Sequence, residues 1–242
     1  MQGQRLCGKV ALVTGAGRGI GSAIAQRLAA DGATVYALDL PGQAFEERCA
    51  ACAIPLYADI TDSTAVKAAL GRIRAEQQRI DVLVNNAAII SYEPMGMVTK
   101  DQMRRMFEVD VFALIELMQY VSRMMARQKS GSIINMGSIV GLRGAAGQLL
   151  YSAAKGAVHA ATLAAAKELA ACGVRVNALA PGMVASERFL REVERFPERI
   201  ANIGVGRLAD PMDVANACAF LASEEAAYIT GQIIGMDGCM AL

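Results

Sequence analysis

Short apolar runs alternate with longer segments of helical pattern along this chain, and that alternation restricts the fold more than any other feature. The runs at 9–14, 34–38, 54–57, 82–85, 132–136, 174–179 and 233–236 lack a polar alternation and end in turn or polar residues. They therefore read as strands buried on both faces. The segments 20–30, 63–78, 100–127, 149–171 and 211–222 carry helical periodicity. Asp210 is a natural N-cap for the last, and Pro211 suits a first helical position. The pattern predicts an α/β fold: a single-domain, Rossmann-type, doubly wound parallel sheet of about seven strands with helices on both faces. No linker, repeat or low-complexity stretch divides residues 1–242, which suffice for one sizeable core. The segment at about 183–206 is rich in Arg and Glu and follows Pro181-Gly182, so it is expected to form a helical flap over a site.

Composition excludes several classes. With 54% hydrophobic and 19% charged residues, disorder is not a tenable reading. A net charge of +1 from scattered Lys and Arg argues against a nucleic-acid or membrane partner. Residues 1–8 contain no apolar signal core, and no run reaches the roughly eighteen apolar residues of a spanning helix, so a cytoplasmic protein is expected. The cysteines are Cys7, Cys49, Cys52, Cys172, Cys218 and Cys239. Cys49 and Cys52 have the C-x-x-C spacing of redox or metal pairs, but no second pair answers them and the only histidine is His159. Free thiols in a reducing compartment, and no metal site, are the expectation.

The first strand runs into Thr14-Gly15-Ala16-Gly17-Arg18-Gly19-Ile20-Gly21. Gly15, Gly19 and Gly21, with Arg18 and Ile20 between them, lie at a strand–turn–helix junction where a pyrophosphate can approach a helix N-terminus. The spacing G-x-x-x-G-x-G differs from the common G-x-G-x-x-G fingerprint. The second strand ends at Asp39, whose carboxylate can accept hydrogen bonds from ribose hydroxyls and repel a 2′-phosphate. A dinucleotide site preferring NAD (NADH) over NADP follows, although Arg18 could neutralise a phosphate nearby. Asp59, with Ile60 beside it, closes the third strand and either reaches an adenine edge or caps its own loop. Asn86, Ala87 and Ala88 end the fourth, where small residues allow close approach to the sheet and an Asn can brace backbone.

Tyr151 and Lys155 are four apart in a helical pattern and share one face. A tyrosine with a pKa of roughly 10 is a poor base at neutral pH. A neighbouring ammonium favours the phenolate, so Tyr151 could exchange a proton with a substrate oxygen. Ser138, at the end of the fifth strand, could hold that same oxygen.

Together these residues resemble the short-chain dehydrogenase/reductase family over essentially the whole chain. The glycine turn, Asn85-Asn86-Ala87-Ala88, Ser138 with Tyr151-Ser152-Ala153-Ala154-Lys155, Asn177-Ala178-Leu179-Ala180-Pro181-Gly182 and Gly231-Gln232 through Asp237-Gly238 occur in the family's order. The resemblance implies an enzyme with Tyr151 as general acid/base and Lys155 lowering its pKa while binding the nicotinamide ribose. It also implies that Ser138 orients substrate, that Pro181 and Gly182 pass beneath the nicotinamide, and that Val184 contacts the carboxamide. Ser186 stands where many members have Thr. One position departs. Asp110, in Val109-Asp110-Val111-Phe112-Ala113, replaces an Asn thought to hold a water in a proton relay. An ionised Asp110 would keep Lys155 an ammonium, whereas a buried, protonated one would act more like the amide.

The resemblance further implies a homotetramer packed through the helices at 100–127 and 149–171, with His159 at that interface. Within the family, the 3-oxoacyl-[acyl-carrier-protein] reductases are most similar, notably over 219–231. Asp39 argues against their usual NADPH. Ser132 and Cys172 stand at positions that are basic in carrier-binding relatives, although Arg127, Lys129 and Arg175 are near. Three readings remain. The first is an NADH-linked reductase of a 3-oxoacyl thioester. The second is an NAD-linked dehydrogenase of a sugar, polyol or other secondary alcohol. The third is an NAD-binding scaffold with little turnover. The substrate pocket is expected from the small-residue loop 139–150 and the flap.

Overall fold

The computed structural model describes residues 4–42, 45–46, 52–195 and 197–240. The Cys49–Cys52 pair therefore lies partly outside the described residues. Strand β1 (Val10–Thr14) leads into α1 (Gly19–Ala30), followed by β2 (Thr34–Asp39), β3 (Ile54–Tyr57), α2 (Ser63–Gln77) and β4 (Val82–Asn85). Next come α3 (Lys100–Phe107), a π-helical turn (Glu108–Phe112), α4 (Ala113–Gln128), β5 (Gly131–Met136), α5 (Val140–Arg143), α6 (Leu149–Leu169) and β6 (Val174–Pro181). The chain closes with α7 (Glu187–Leu190), α8 (Pro197–Ala201), α9 (Pro211–Ala222) and β7 (Ile233–Met236).

All seven strands pair in parallel, in the order β3-β2-β1-β4-β5-β6-β7. Period-two geometry sorts their apolar side chains into two cores. Ala11 and Val13 of β1 join α1 and α9 on one face, where Ile24, Leu28, Val214, Cys218 and Leu221 pack together. Val10 and Leu12 join α2, α4 and α6 on the other, with Leu70, Ile73, Val121, Met125 and Val158. Burial on both faces explains why the strands are continuous apolar runs. Truncating a side chain such as Leu12 to Ala should cost roughly 2–5 kcal/mol.

Helix starts follow their caps. Asp62 accepts from the N–H groups of Thr64 and Ala65, and Thr99–Gln102 and Asp210–Asp213 form capping boxes, the latter ahead of Pro211. α1 differs: no side chain caps it, which leaves its first N–H groups for another acceptor. The strand order turns back between β1 and β4, so a crevice opens there at the carboxyl ends of the strands. The segment expected as one helix at 100–127 is interrupted by the π turn, which carries Asp110. Among the described residues, no helix is long and apolar enough to cross a membrane.

Candidate active site

A cleft of about 430 Å³ occupies that crevice. Gly15, Arg18, Gly19, Ile20 and Gly21 from the first turn line it, as do Asp39, Asp59, Ile60, Asn86, Ala87 and Ala88. Ser138, Tyr151, Lys155, Pro181, Gly182, Val184 and Ser186 complete the set marked out in the sequence. Asp110 alone stands behind the wall, 1% exposed.

The glycine turn is tightly built. Gly15 has φ +63°, and a Cβ there would lie 2.8 Å from the Ala87 Cα. A Cβ on Gly21 would lie 2.1 Å from the Gly15 carbonyl oxygen, a contact no side chain tolerates. Asn86 fastens this turn to β4: its Nδ2 donates to the carbonyls of Thr14 and Gly15, each at 3.0 Å. The Thr14 hydroxyl in turn accepts the N–H groups of Asn86 and Ala87. The result is a cradle with small walls and an uncapped helix N-terminus, which fits a pyrophosphate.

Asp39 sits half-buried at the end of β2. Its Oδ2 accepts from Gly17 N at 2.7 Å and its Oδ1 from Leu40 N at 2.8 Å. Each oxygen retains a lone pair for a ribose hydroxyl. Asp59 Oδ1 accepts both the N–H and hydroxyl of Thr61, at 2.9 and 2.7 Å, and these bonds hold its carboxyl below the usual range. Its Oδ2 lies 4.0 Å from an Arg105 nitrogen. The loop-capping alternative is therefore realised at Asp59, on a residue that also borders the cleft.

At the far end, Lys155 Nζ donates to the Met136 carbonyl at 3.1 Å, lies 3.2 Å from Asp110 Oδ2, and stands 5.5 Å from the Tyr151 ring centre. Asp110 Oδ1 accepts the Ile89 N–H at 2.8 Å. Burial and the Asp110 carboxylate both act on this cluster. Burial pushes the Tyr151 phenol above its ordinary value and Asp110 adds to that, against the opposing pull of Lys155 and the Ser138 hydrogen bond. Burial alone would lower the Lys155 pKa, but Asp110 and Tyr151 outweigh it and the ammonium is favoured. Burial likewise raises the Asp110 carboxyl, opposed by Lys155 and the Ile89 N–H. Lys155 thus acts on Tyr151 with the expected sign, yet the phenol's net shift is upward. The π turn is the local device that supplies Asp110 here.

Residues 15–241 match a family model described as enoyl-(acyl carrier protein) reductase. The chain is 38% identical to the 3-oxoacyl-[acyl-carrier-protein] reductase of Escherichia coli (strain K12), over 96% of this chain and 97% of that protein. It belongs to the short-chain dehydrogenase/reductase family. It is also 37% identical to the galactitol 2-dehydrogenase of Agrobacterium fabrum, covering 97% of this chain and 98% of the other. A solved structure described as a gluconate dehydrogenase from Agrobacterium tumefaciens superposes with a TM-score of 0.93 at 27% identity, covering 98% of each chain.

As a short-chain dehydrogenase/reductase, the chain is an oxidoreductase acting on CH–OH and C=O groups with a nicotinamide cofactor. Two sequence expectations need correction. His159 does not project toward another subunit: it is 5% exposed within its own chain, packed where a Cβ on Gly137 would lie 2.2 Å from Nε2. Ser132, weighed as a carrier-facing position, is buried in β5 with its hydroxyl donating to the Leu221 carbonyl. Arg175 is equally committed, reaching the carbonyls of Ser223 and Ile229. Sequence reasoning missed Arg188, Gln148 and Met240, which also line the cleft. Gln148 and Arg188 lie within the loop and the flap already expected to shape the pocket, although neither was singled out, whereas Met240 carried no sequence signal.

Proposed function

We propose that this enzyme interconverts a ketone and a secondary alcohol using NAD(H), with Tyr151, Lys155 and Ser138 as its catalytic residues. The buried Tyr151–Lys155 pair opening onto the cleft carries this reading. The nicotinamide, when bound, supplies or accepts the hydride. Ser138 and Tyr151 hold the substrate oxygen between two hydroxyls, and Tyr151 gives that oxygen its proton during reduction or takes it during oxidation. Lys155 opposes the burial that disfavours the phenolate, and Asp110 is a positioning residue that holds Lys155 charged. Pro181, Gly182, Val184 and Ser186 would receive the nicotinamide end. The glycine turn with Arg18 would receive the phosphates, and Asp59, Ile60 and Asn86–Ala88 the adenosine side.

NAD is preferred over NADP in this reading because the Asp39 carboxylate, pinned by Gly17 N–H, faces the ribose position. It would meet a 2′-phosphate as a like charge. The curated relatives supply two substrate classes, 3-oxoacyl thioesters and polyols, at nearly equal identity. The thioester comes first on kinship. The burial of Ser132 and the engagement of Arg175 favour the second reading, a sugar, polyol or other secondary alcohol, since of the cations near the carrier-facing positions they leave only the exposed Arg127 and Lys129. A homotetramer fits the exposed small-residue face of α6, at Ala153, Ala160 and Ala164, and a cytoplasmic location accompanies these assignments.

The test is oxidation of NADH and NADPH with acetoacetyl-coenzyme A at matched concentrations, alongside NAD-linked oxidation of polyols. Turnover with NADH favoured, and lost by about a thousandfold or more in Tyr151→Phe with NADH binding retained, is the expected result. Normal turnover by Tyr151→Phe overturns the mechanism.

A further inference from the structure

The cations of the cleft are not equivalent. Lys155 faces Asp110 at 3.2 Å, and Arg105 lies 4.0 Å from Asp59. Arg18 stands at the glycine turn, beside the uncapped start of α1. Arg188 belongs to α7, the first helix of the flap, and is half-buried in the cleft wall. Its Nη2 donates to the Ile90 carbonyl at 2.9 Å, reaching from the flap to the loop after β4. Among the described residues no carboxylate lies within 4.0 Å of this guanidinium. A guanidinium carries five N–H donors, so a carbonyl partner leaves it short of both charge and hydrogen bonds.

Its place relative to the chemistry is fixed by a short chain of contacts. Arg188 holds residue 90, the N–H of residue 89 holds Asp110, and Asp110 faces Lys155. Asp110 and Lys155 cancel as charges, which leaves Arg188 as the uncompensated cation at the Tyr151 end. Its charge is felt there: it pulls down the carboxyl of Asp110 and the phenol of Tyr151.

We propose that Arg188 receives a carboxylate of the substrate, so that the preferred substrate is a free hydroxy acid or oxo acid rather than a neutral alcohol or a thioester. The inference rests on the ketone–alcohol reading above and narrows it. The reaction itself is unchanged: the carbinol carbon loses a hydride to NAD, its hydroxyl proton passes to Tyr151, and the carboxylate keeps all its atoms. Anchoring the carboxylate fixes which carbon faces the nicotinamide site, the orienting use of a planar guanidinium fork.

The experiment compares short 2-oxo and 3-oxo acids, acetoacetate first, with ethyl acetoacetate and acetoacetyl-coenzyme A at saturating NADH. The wild-type enzyme should favour the acid at least about tenfold. Arg188→Met should lower kcat/KM for the acid by about 10- to 100-fold, mostly through KM, and leave the ester within about threefold. Arg188→Lys should fall between, since it keeps the charge but not the fork. The Kd for NADH should not move. Equal losses on acid and ester, a wild-type preference for the ester or thioester, or a tenfold weaker Kd for NADH would each overturn the assignment; the last would place Arg188 on the cofactor. Calorimetric titration of acetoacetate into NADH-loaded Tyr151→Phe, with and without Arg188→Met, separates the two proposals. Arg188-dependent binding without wild-type turnover sustains the anion site and refutes the hydride reading. Turnover indifferent to Arg188 does the reverse, and neither binding nor turnover of any acid overturns the anion site.

Discussion

Replacing Asp110 by Asn removes one buried charge and keeps its shape, so it isolates what that charge does to Tyr151. The amide oxygen can still accept the Ile89 N–H. Asp110 Oδ2 is 3.2 Å from Lys155 Nζ, which is 5.5 Å from the Tyr151 ring centre, so the carboxylate lies no more than about 9 Å from the phenol ring. At that separation and an effective dielectric of about 20, two unit charges interact by about 1.8 kcal/mol, a little over one pKa unit. Burial and then Asp110 hold the phenol up, and Lys155 opposes them. Removing the carboxylate should therefore lower the Tyr151 pKa by about one unit.

The assay is the pH dependence of kcat for alcohol oxidation, in which Tyr151 must accept a proton. The alkaline rise should move to lower pH by about one unit in Asp110→Asn. Lys155 is 3% exposed and would keep the Met136 carbonyl as its partner. Urea unfolding near pH 7 should show a loss on the order of 3 kcal/mol, the low end for unpairing a buried charge. A rise that stays in place, or moves to higher pH, refutes the reasoning. It would mean that Lys155 surrendered its proton when Asp110 was neutralised, so that its own pull on Tyr151 vanished.

Three further outcomes are expected. Asp39→Asn keeps acceptor geometry toward Gly17 but removes the charge, and should reduce the NADH-over-NADPH preference in kcat/KM by about tenfold; an unchanged ratio removes Asp39 from cofactor selection. Gly21→Ala forces a Cβ to 2.1 Å from the Gly15 carbonyl oxygen and should cost about 1–3 kcal/mol or more and abolish tight NADH binding. Wild-type Tm and Kd would contradict the cradle. The His159 imidazole is held below its ordinary pKa, first by burial and then by the Lys155 charge, so the unfolded chain binds the extra proton more readily. Its contribution to stability is full above pH of about 6.5 and is lost as pH falls below that toward the depressed folded value. His159→Gln should flatten the fall in urea midpoint between pH 7.5 and 5.5, and parallel curves for the two proteins would exclude His159 as its source.

Legibility in the sequence followed the range over which each constraint acts. Strands were readable to within one or two residues because β1, β2 and β4–β6 bury both faces, and that leaves apolar runs wherever they occur. The glycine turn was readable because Gly15 takes a positive φ and Gly21 sits against the Gly15 carbonyl, both local demands; the approach of Ala87 to Gly15, from 72 positions away, was not. Strand β6 runs on to Pro181, past the expected end at 179: Pro181 needs no N–H there, and its carbonyl accepts from Ile139 N. The π turn was invisible, because Val109 and Val111 continue a helical apolar pattern and nothing in that pattern marks an inserted residue.

Asp110 between those valines was the one legible anomaly. A carboxylate on a buried helical stretch demands a partner, but the partner, Lys155, is 45 positions away. Arg188 had no anomaly at all, since an arginine in a polar flap is ordinary until the fold brings it to the Ile90 carbonyl, 98 positions earlier. These two cases share a cause. Backbone geometry constrains residue type locally and so writes itself into motifs. Charge compensation is settled only when distant elements meet, and it distinguishes this enzyme's site from the pattern its motifs share. Lys155 is compensated inside the protein by Asp110, whereas Arg188 is left facing the cleft, and from that asymmetry follows the expectation that the missing anion arrives with the substrate.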